Sequence, residues 1–136
     1  MSRPFRAILL GDYHCGHCVG LTPPKWQWRA TAGHTRRDKI ATIQAEQWAW
    51  YAATIKRIGP VDLVLANGDL IDGSGHRSGG TEQITTDRQE QTDMAVECLR
   101  AIKARQYVMT YGTAYHTGDE EDFEDHIAER MDAQIG

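Results

Sequence analysis

The sequence predicts an α/β fold: a parallel sheet built in the order β-α-β-α-β-α. Three observations predict it. Short apolar runs at 5–11, 61–66 and 107–111 each stop at a glycine. Amphipathic stretches of helical period lie between them, and another follows the last. Strands separated by helices join through right-handed crossovers, which makes the sheet parallel.

The first run, Phe5 to Gly11, reads as a buried strand that ends at Gly11-Asp12. Residues 12–38 have no clean period and contain Gly16, Gly20, Pro23-Pro24 and Gly33, so they read as a long loop of the functional kind. Residues 39–58 read as a helix, because Ile40, Ile43, Trp48, Tyr51, Ile55 and Ile58 fall on one stripe. Gly59-Pro60 stops it. Val61 to Ala66 is the second strand, ending at Gly68-Asp69. Residues 70–81 hold four glycines and read as a polar loop. Residues 82–105 form the second helix, with Gln91, Met94, Ala95, Cys98, Leu99 and Ile102 on its inner face. Tyr107 to Tyr111 is the third strand, and Gly112 ends it. Thr117-Gly118-Asp119-Glu120 has the form of a capping box opening a third helix, along which Phe123, Ile127, Met131 and Ile135 recur every four residues.

The 136 residues correspond to one domain, 1–136. Apolar runs such as Ala7-Ile8-Leu9-Leu10 fall far short of the roughly 20 residues that span a bilayer, so no membrane partner is expected. The opening Met1-Ser2-Arg3-Pro4-Phe5-Arg6 is too short for a secretion signal, and an intracellular, cytoplasmic chain is expected. The net charge of −4 excludes a protein that coats nucleic acid by charge alone. Bound cations would let an acidic chain act on phosphates. Three cysteines, Cys15, Cys18 and Cys98, do not make a disulfide framework. Cys15-x-x-Cys18 has no second such pair to close a zinc site, so plain reduced thiols are expected. Trp26 and Trp28 either anchor their loop through the indoles or stack nucleic-acid bases; anchoring is the simpler reading.

Ligands of a parallel sheet collect at the carboxyl ends of its strands. Three loops lie there: Asp12–His17, Gly68–Gly73 and Gly112–Gly118. Each carries residues that bind metals. Asp12 and His14 stand two apart just past a strand, and carboxylate with imidazole suits zinc, iron or manganese. Asp69 sits at the tip of the second strand with two oxygens to share between cations. His116 follows the third. His17 lies close enough to meet a substrate phosphate or to face solvent.

Asp12-x-His14 followed by Gly68-Asp69-x-x-Asp72 resembles the first two motifs of the calcineurin-like metallophosphoesterases, most closely their phage and prophage branch. The family's third motif, Gly-Asn-His, has its counterpart in Gly112-Thr113-Ala114-Tyr115-His116, with Thr for Asn and the His two residues late. The later family motifs, a His and then Gly-His-x-His, do not occur before Gly136. The resemblance therefore implies the N-terminal half of the four-layer metallophosphoesterase sandwich, incomplete at its C-terminal end. It implies two divalent cations (Mn, Fe or Zn), the first on Asp12 and His14, with Asp69 bridging both. His116 would protonate the leaving group or bind the second cation, and Asp72 would orient a neighbouring His. The implied activity is phosphoester hydrolysis, with phosphodiesterase and nuclease action included, so nucleic acid is among the implied substrates. The alternative is a catalytically incomplete remnant or a non-catalytic metal- or phosphate-binding module. A half-sheet with an open edge also predicts a chain that either associates with a second copy or is marginally stable, and that binds metal weakly.

Overall fold

The computed structural model describes residues 2–31, 33, 35–73, 78–112 and 123–136. The protein is α/β. Strands β1 (Ala7–Leu10), β2 (Val61–Asn67), β3 (Ala104–Thr110) and β4 (Gln134–Ile135) form one parallel sheet in the order β1-β2-β3-β4. Helices α1 (Thr35–Ile58), α2 (Arg88–Arg100) and α3 (Phe123–Met131) make the crossovers.

The strand order follows the chain order, so successive right-handed crossovers stack the helices on one face. Their contacts agree. The Tyr51 hydroxyl of α1 donates to the Cys98 carbonyl of α2 at 2.6 Å, and α2 packs against α3. The core lies between these helices and the sheet: Val64, Ala66 and Met109 from the strands, Met94, Ala95, Cys98 and Leu99 from α2, Ile127 and Ala128 from α3. The opposite face carries the row Leu9, Leu65 and Val108, in register across three strands. Leu9 is 74% exposed there.

That arrangement corrects the reading of the first run as a buried strand. β1 is the sheet's edge, its burial alternates, and Phe5 lies outside it and is exposed. The helix stripe also shifts. Ile43 is exposed, while Gln44 is fully buried because its amide serves the preceding loop. Gln44 Oε1 accepts from Trp28 N–H, and Nε2 donates to the Cys18 carbonyl, both at 2.7 Å. The loop 12–38 is thereby fastened rather than structureless, with one turn of 3-10 helix at Pro24–Trp26. Trp26 donates its indole N–H to Glu90 of α2 at 3.0 Å, the anchoring role. α2 is shorter than expected and starts after Asp87, whose carboxylate caps Gln89 N–H. Ile135 is not the end of a helix. Ala133 N–H turns back to Ala128 O, and Ile135 enters β4 beside Met109. The capping box at 117–120 lies outside the described residues.

Candidate functional site

The tips of β1 and β2 are tied to each other by backbone hydrogen bonds. Asp12 N–H donates to Gly68 O, His14 N–H to Asp69 O, and Cys15 N–H to Leu70 O; Asp72 N–H returns to Cys15 O. This ladder carries the two loops side by side past the end of the sheet. It brings Asp12, His14, Asp69 and Asp72 to one edge of the molecule.

Three of these four are backbone outliers. Asp12, His14 and Asp69 have φ of 56, 46 and 54°. Left-handed backbone disfavours side chains other than glycine, although Asp and His tolerate it better than most. Among the described non-glycine residues only Asp132 shares it. Strain of this kind persists where the surroundings over-determine it, and it clusters at functional sites.

Gly68, at φ 69°, and Gly112 let the β2 and β3 tips touch. A Cβ on Gly68 would sit 2.7 Å from Gly112 Cα. A Cβ on Gly112 would sit 2.5 Å from Asp69 Oδ1. The Asp69 carboxylate thus lies against the start of the third loop.

His14 is the centre of the arrangement. Its Nδ1 is 3.2 Å from Asp72 Oδ1 and its Nε2 is 3.6 Å from Asp12 Oδ1. An ionised carboxylate only accepts, so Nδ1 carries a proton to Asp72, and Nε2 turns toward Asp12. The hydrogen bond to Asp72 raises the His14 pKa; burial opposes it, and the charges of Asp72, Asp69 and Asp12 add to it. For Asp72, burial pushes the carboxyl up, but hydrogen bonds from His14 and Gln83 outweigh it and the net shift is down.

Two donors about 2.0–2.2 Å from one ion lie roughly 3–3.5 Å apart. Asp12 and His14 come close to that spacing, and their chemistry suits a divalent cation. A carboxylate behind the other ring nitrogen is the usual support of a metal-binding histidine. Among the described residues, no group of three or more His, Cys, Asp or Glu is disposed to hold an ion. His116 lies outside the described residues.

Sequence reasoning missed the residues that hold these loops. Glu124 of α3 is fully buried, with Gly112 N–H donating to Oε2 at 2.5 Å and Leu70 N–H to Oε1 at 3.4 Å. It joins the second and third loops from below. Gln83 donates Nε2 to Asp72 Oδ2 and to Gly73 O, both at 2.8 Å. Gln91, expected on the inner face of α2, holds both polar groups of Gly73. No local pattern marks Glu124 or Gln83, because their partners lie in loops distant in sequence.

All three cysteines are free and buried; the Cys15 thiol donates to Leu21 O at 3.3 Å and lies 4.0 Å from the Cys98 sulfur. His17 accepts Val19 N–H on Nδ1, and its Nε2 is 3.5 Å from Glu82. Among the described residues, no helix is long and apolar enough to cross a membrane. Compared with models of known families and with curated protein sequences, the chain matches none.

Proposed function

We propose that the chain hydrolyses phosphoesters at the carboxyl ends of β1, β2 and β3, as a calcineurin-like metallophosphoesterase does. The observation that carries this reading is the line Asp72, His14, Asp12. It holds one imidazole with a proton on the side of Asp72 and its other nitrogen turned toward a second ligand of the same kind. The left-handed backbone of Asp12, His14 and Asp69 supports it, as does the likeness of Asp12-x-His14 and Gly68-Asp69-x-x-Asp72 to the family motifs.

In this reading Asp12 and His14 hold a first divalent cation (Mn, Fe or Zn), and Asp69 is shared with a second. Such cations clamp the phosphate and supply a hydroxide near neutral pH. Asp72 holds a proton on Nδ1 and aims the ring, so that Nε2 is the nitrogen a cation would take. Glu124 and the glycine contact of Gly68 with Gly112 fix where Asp69 stands. His116 serves as general acid toward the departing oxygen or as a ligand of the second cation.

The second reading is a module that binds a cation or phosphate without turnover. The lack of a three-residue ligand group among the described residues favours it. One assay separates the two: hydrolysis of bis(p-nitrophenyl) phosphate by the purified chain with added Mn²⁺. Turnover that disappears with His14→Ala supports the hydrolase. Mn²⁺ binding without turnover in the wild type supports the module.

A further inference from the structure

Two hollows flank the cluster and meet at His17 and Val19. One is a groove of about 1010 Å³ between β1 and α1, whose polar end is Asp12, His14 and Asp72 and whose rim carries Trp50, 69% exposed. The other, about 450 Å³, is lined by His17, Arg36, Lys39 and Glu82. α1 runs past both. Arg36, Lys39, Ile43, Gln47, Trp50 and Thr54 follow one another at steps of three and four, so they share one stripe of the helix. That stripe extends roughly 27 Å at about 1.5 Å per residue. It explains why Ile43 is exposed on a helix otherwise read as core-facing there.

The cations of this stripe have no structural employment. Among the described residues, no carboxylate lies within 4.0 Å of Arg36 or Lys39, although acidic side chains outnumber basic ones, 19 to 15. Both cations sit in the first turns of α1, where the helix dipole disfavours positive charge. A bound anion would offset that. His17 stands between them and the cluster, its Nδ1 engaged by Val19 N–H and its Nε2 facing Glu82 at 3.5 Å. Glu82, which faces His17, keeps that imidazole in place.

We infer that Arg36 and Lys39 form a phosphate subsite beside the strand-tip cluster, and that its ligand is a single-stranded nucleic acid. One phosphate of the strand lies on Arg36 and Lys39, its neighbour extends toward the cations that Asp12 and His14 would hold, and a base on the other side packs on Trp50. The aromatic rim selects a strand with unstacked bases over other polyanions. The net charge of −4 disfavours broad coating of a duplex. This substrate assignment rests on the hydrolase reading above; the subsite itself does not.

The test is fluorescence anisotropy of a labelled thymidine decamer on the full chain in chelator, beside Mn²⁺-dependent hydrolysis of bis(p-nitrophenyl) phosphate. Arg36→Ala with Lys39→Ala weakens decamer binding at least tenfold and lowers the slope of log affinity against log salt by about 0.7, the value for one lost phosphate contact. Hydrolysis of the small diester stays within twofold. Arg36→Lys with Lys39→Arg retains binding, which shows that charge and not folding is at issue. Trp50→Ala weakens the decamer at least fivefold with the salt slope unchanged. Decamer binding equal in wild type and double variant overturns the subsite, whatever the hydrolysis result. A heparin oligosaccharide bound as tightly as the decamer overturns the nucleic-acid assignment. A subsite that behaves as stated in a chain that hydrolyses no diester leaves the subsite standing, overturns the substrate assignment and removes the hydrolase reading.

Discussion

The two ends of β2 carry aspartates in opposite circumstances. At the amino end, Asp62 is clasped by the Arg3 guanidinium at 2.5 and 2.9 Å, accepts Arg6 N–H at 2.9 Å and has Arg105 at 3.9 Å. Its backbone is ordinary strand. Its carboxyl is held down to about 2, mainly by the Arg3 hydrogen bond and then by Arg6 N–H. At the carboxyl end, Asp12 and Asp72 have no lysine or arginine within 4.0 Å among the described residues; the ionisable partner of each is His14. Asp12 and Asp69 also hold left-handed backbone. An acid surrounded by guanidinium groups stabilises a fold. Acids gathered around one imidazole on strained backbone are poised for a charge that comes from outside.

The largest expected effect is at Asp69. Asp69→Asn lowers Mn²⁺-dependent diester hydrolysis at least a hundredfold, while the thermal midpoint moves by only a few degrees. A well-folded variant with full activity would erase the distinction between the two ends.

Asp72→Ala comes next. Without its carboxylate, His14 loses its orientation, and Mn²⁺ affinity falls roughly 10–100-fold. Calorimetric titration reads the affinity, and NMR of the His14 ring reads its pKa falling back toward the ordinary value.

Asp62→Asn gives the converse result. The thermal midpoint drops by several degrees, because Arg3 loses its charged partner. Mn²⁺ affinity stays the same. Melting curves and calorimetry on one sample check both halves.

The two ends also differ in pH. Asp62 has a lowered pKa, so its contribution to stability is present above the unfolded value of about 3.9 and is lost as pH falls toward about 2. His14 has a raised pKa. In the metal-free chain its contribution is therefore full below about 6.5 and is lost as pH rises through its folded value. Mn²⁺ requires the neutral imidazole, so its affinity rises over that same interval. Denaturant melts at stepped pH, with and without Mn²⁺, show the two trends crossing.

The smallest effect is the most diagnostic of strain. Asp12→Gly relieves a left-handed aspartate and raises stability by about 0.5–1 kcal/mol, while Mn²⁺ affinity falls. Urea titration and calorimetry read the two opposite signs.

Much of this was legible in the sequence. The glycines at 11, 68 and 112 marked the strand tips, and the rule for parallel sheets put Asp12, His14, Asp69 and Asp72 at one end. Two kinds of feature were not legible. Periodicity treats a polar residue as outward, so it missed Gln44, Gln83 and Glu124, each turned inward to satisfy loop backbone; Gln91 it did place inward. Periodicity also continued the last helix through Ile135, because a two-residue strand such as β4 is defined by its partner β3 and not by its own pattern. The edge position of β1 was hidden for the same reason: the apolar run Ala7 to Leu10 looks alike with one covered face or two.

The central claim is that the strand tips are built to take up divalent cations. Its most direct measurement is calorimetric titration of the purified chain with Mn²⁺ at pH 7.5, in parallel with Asp69→Asn and His14→Ala. The account predicts saturable heat in the wild type that is lost or at least tenfold weaker in both variants, with all three chains folded. Heats that are the same in all three would contradict it.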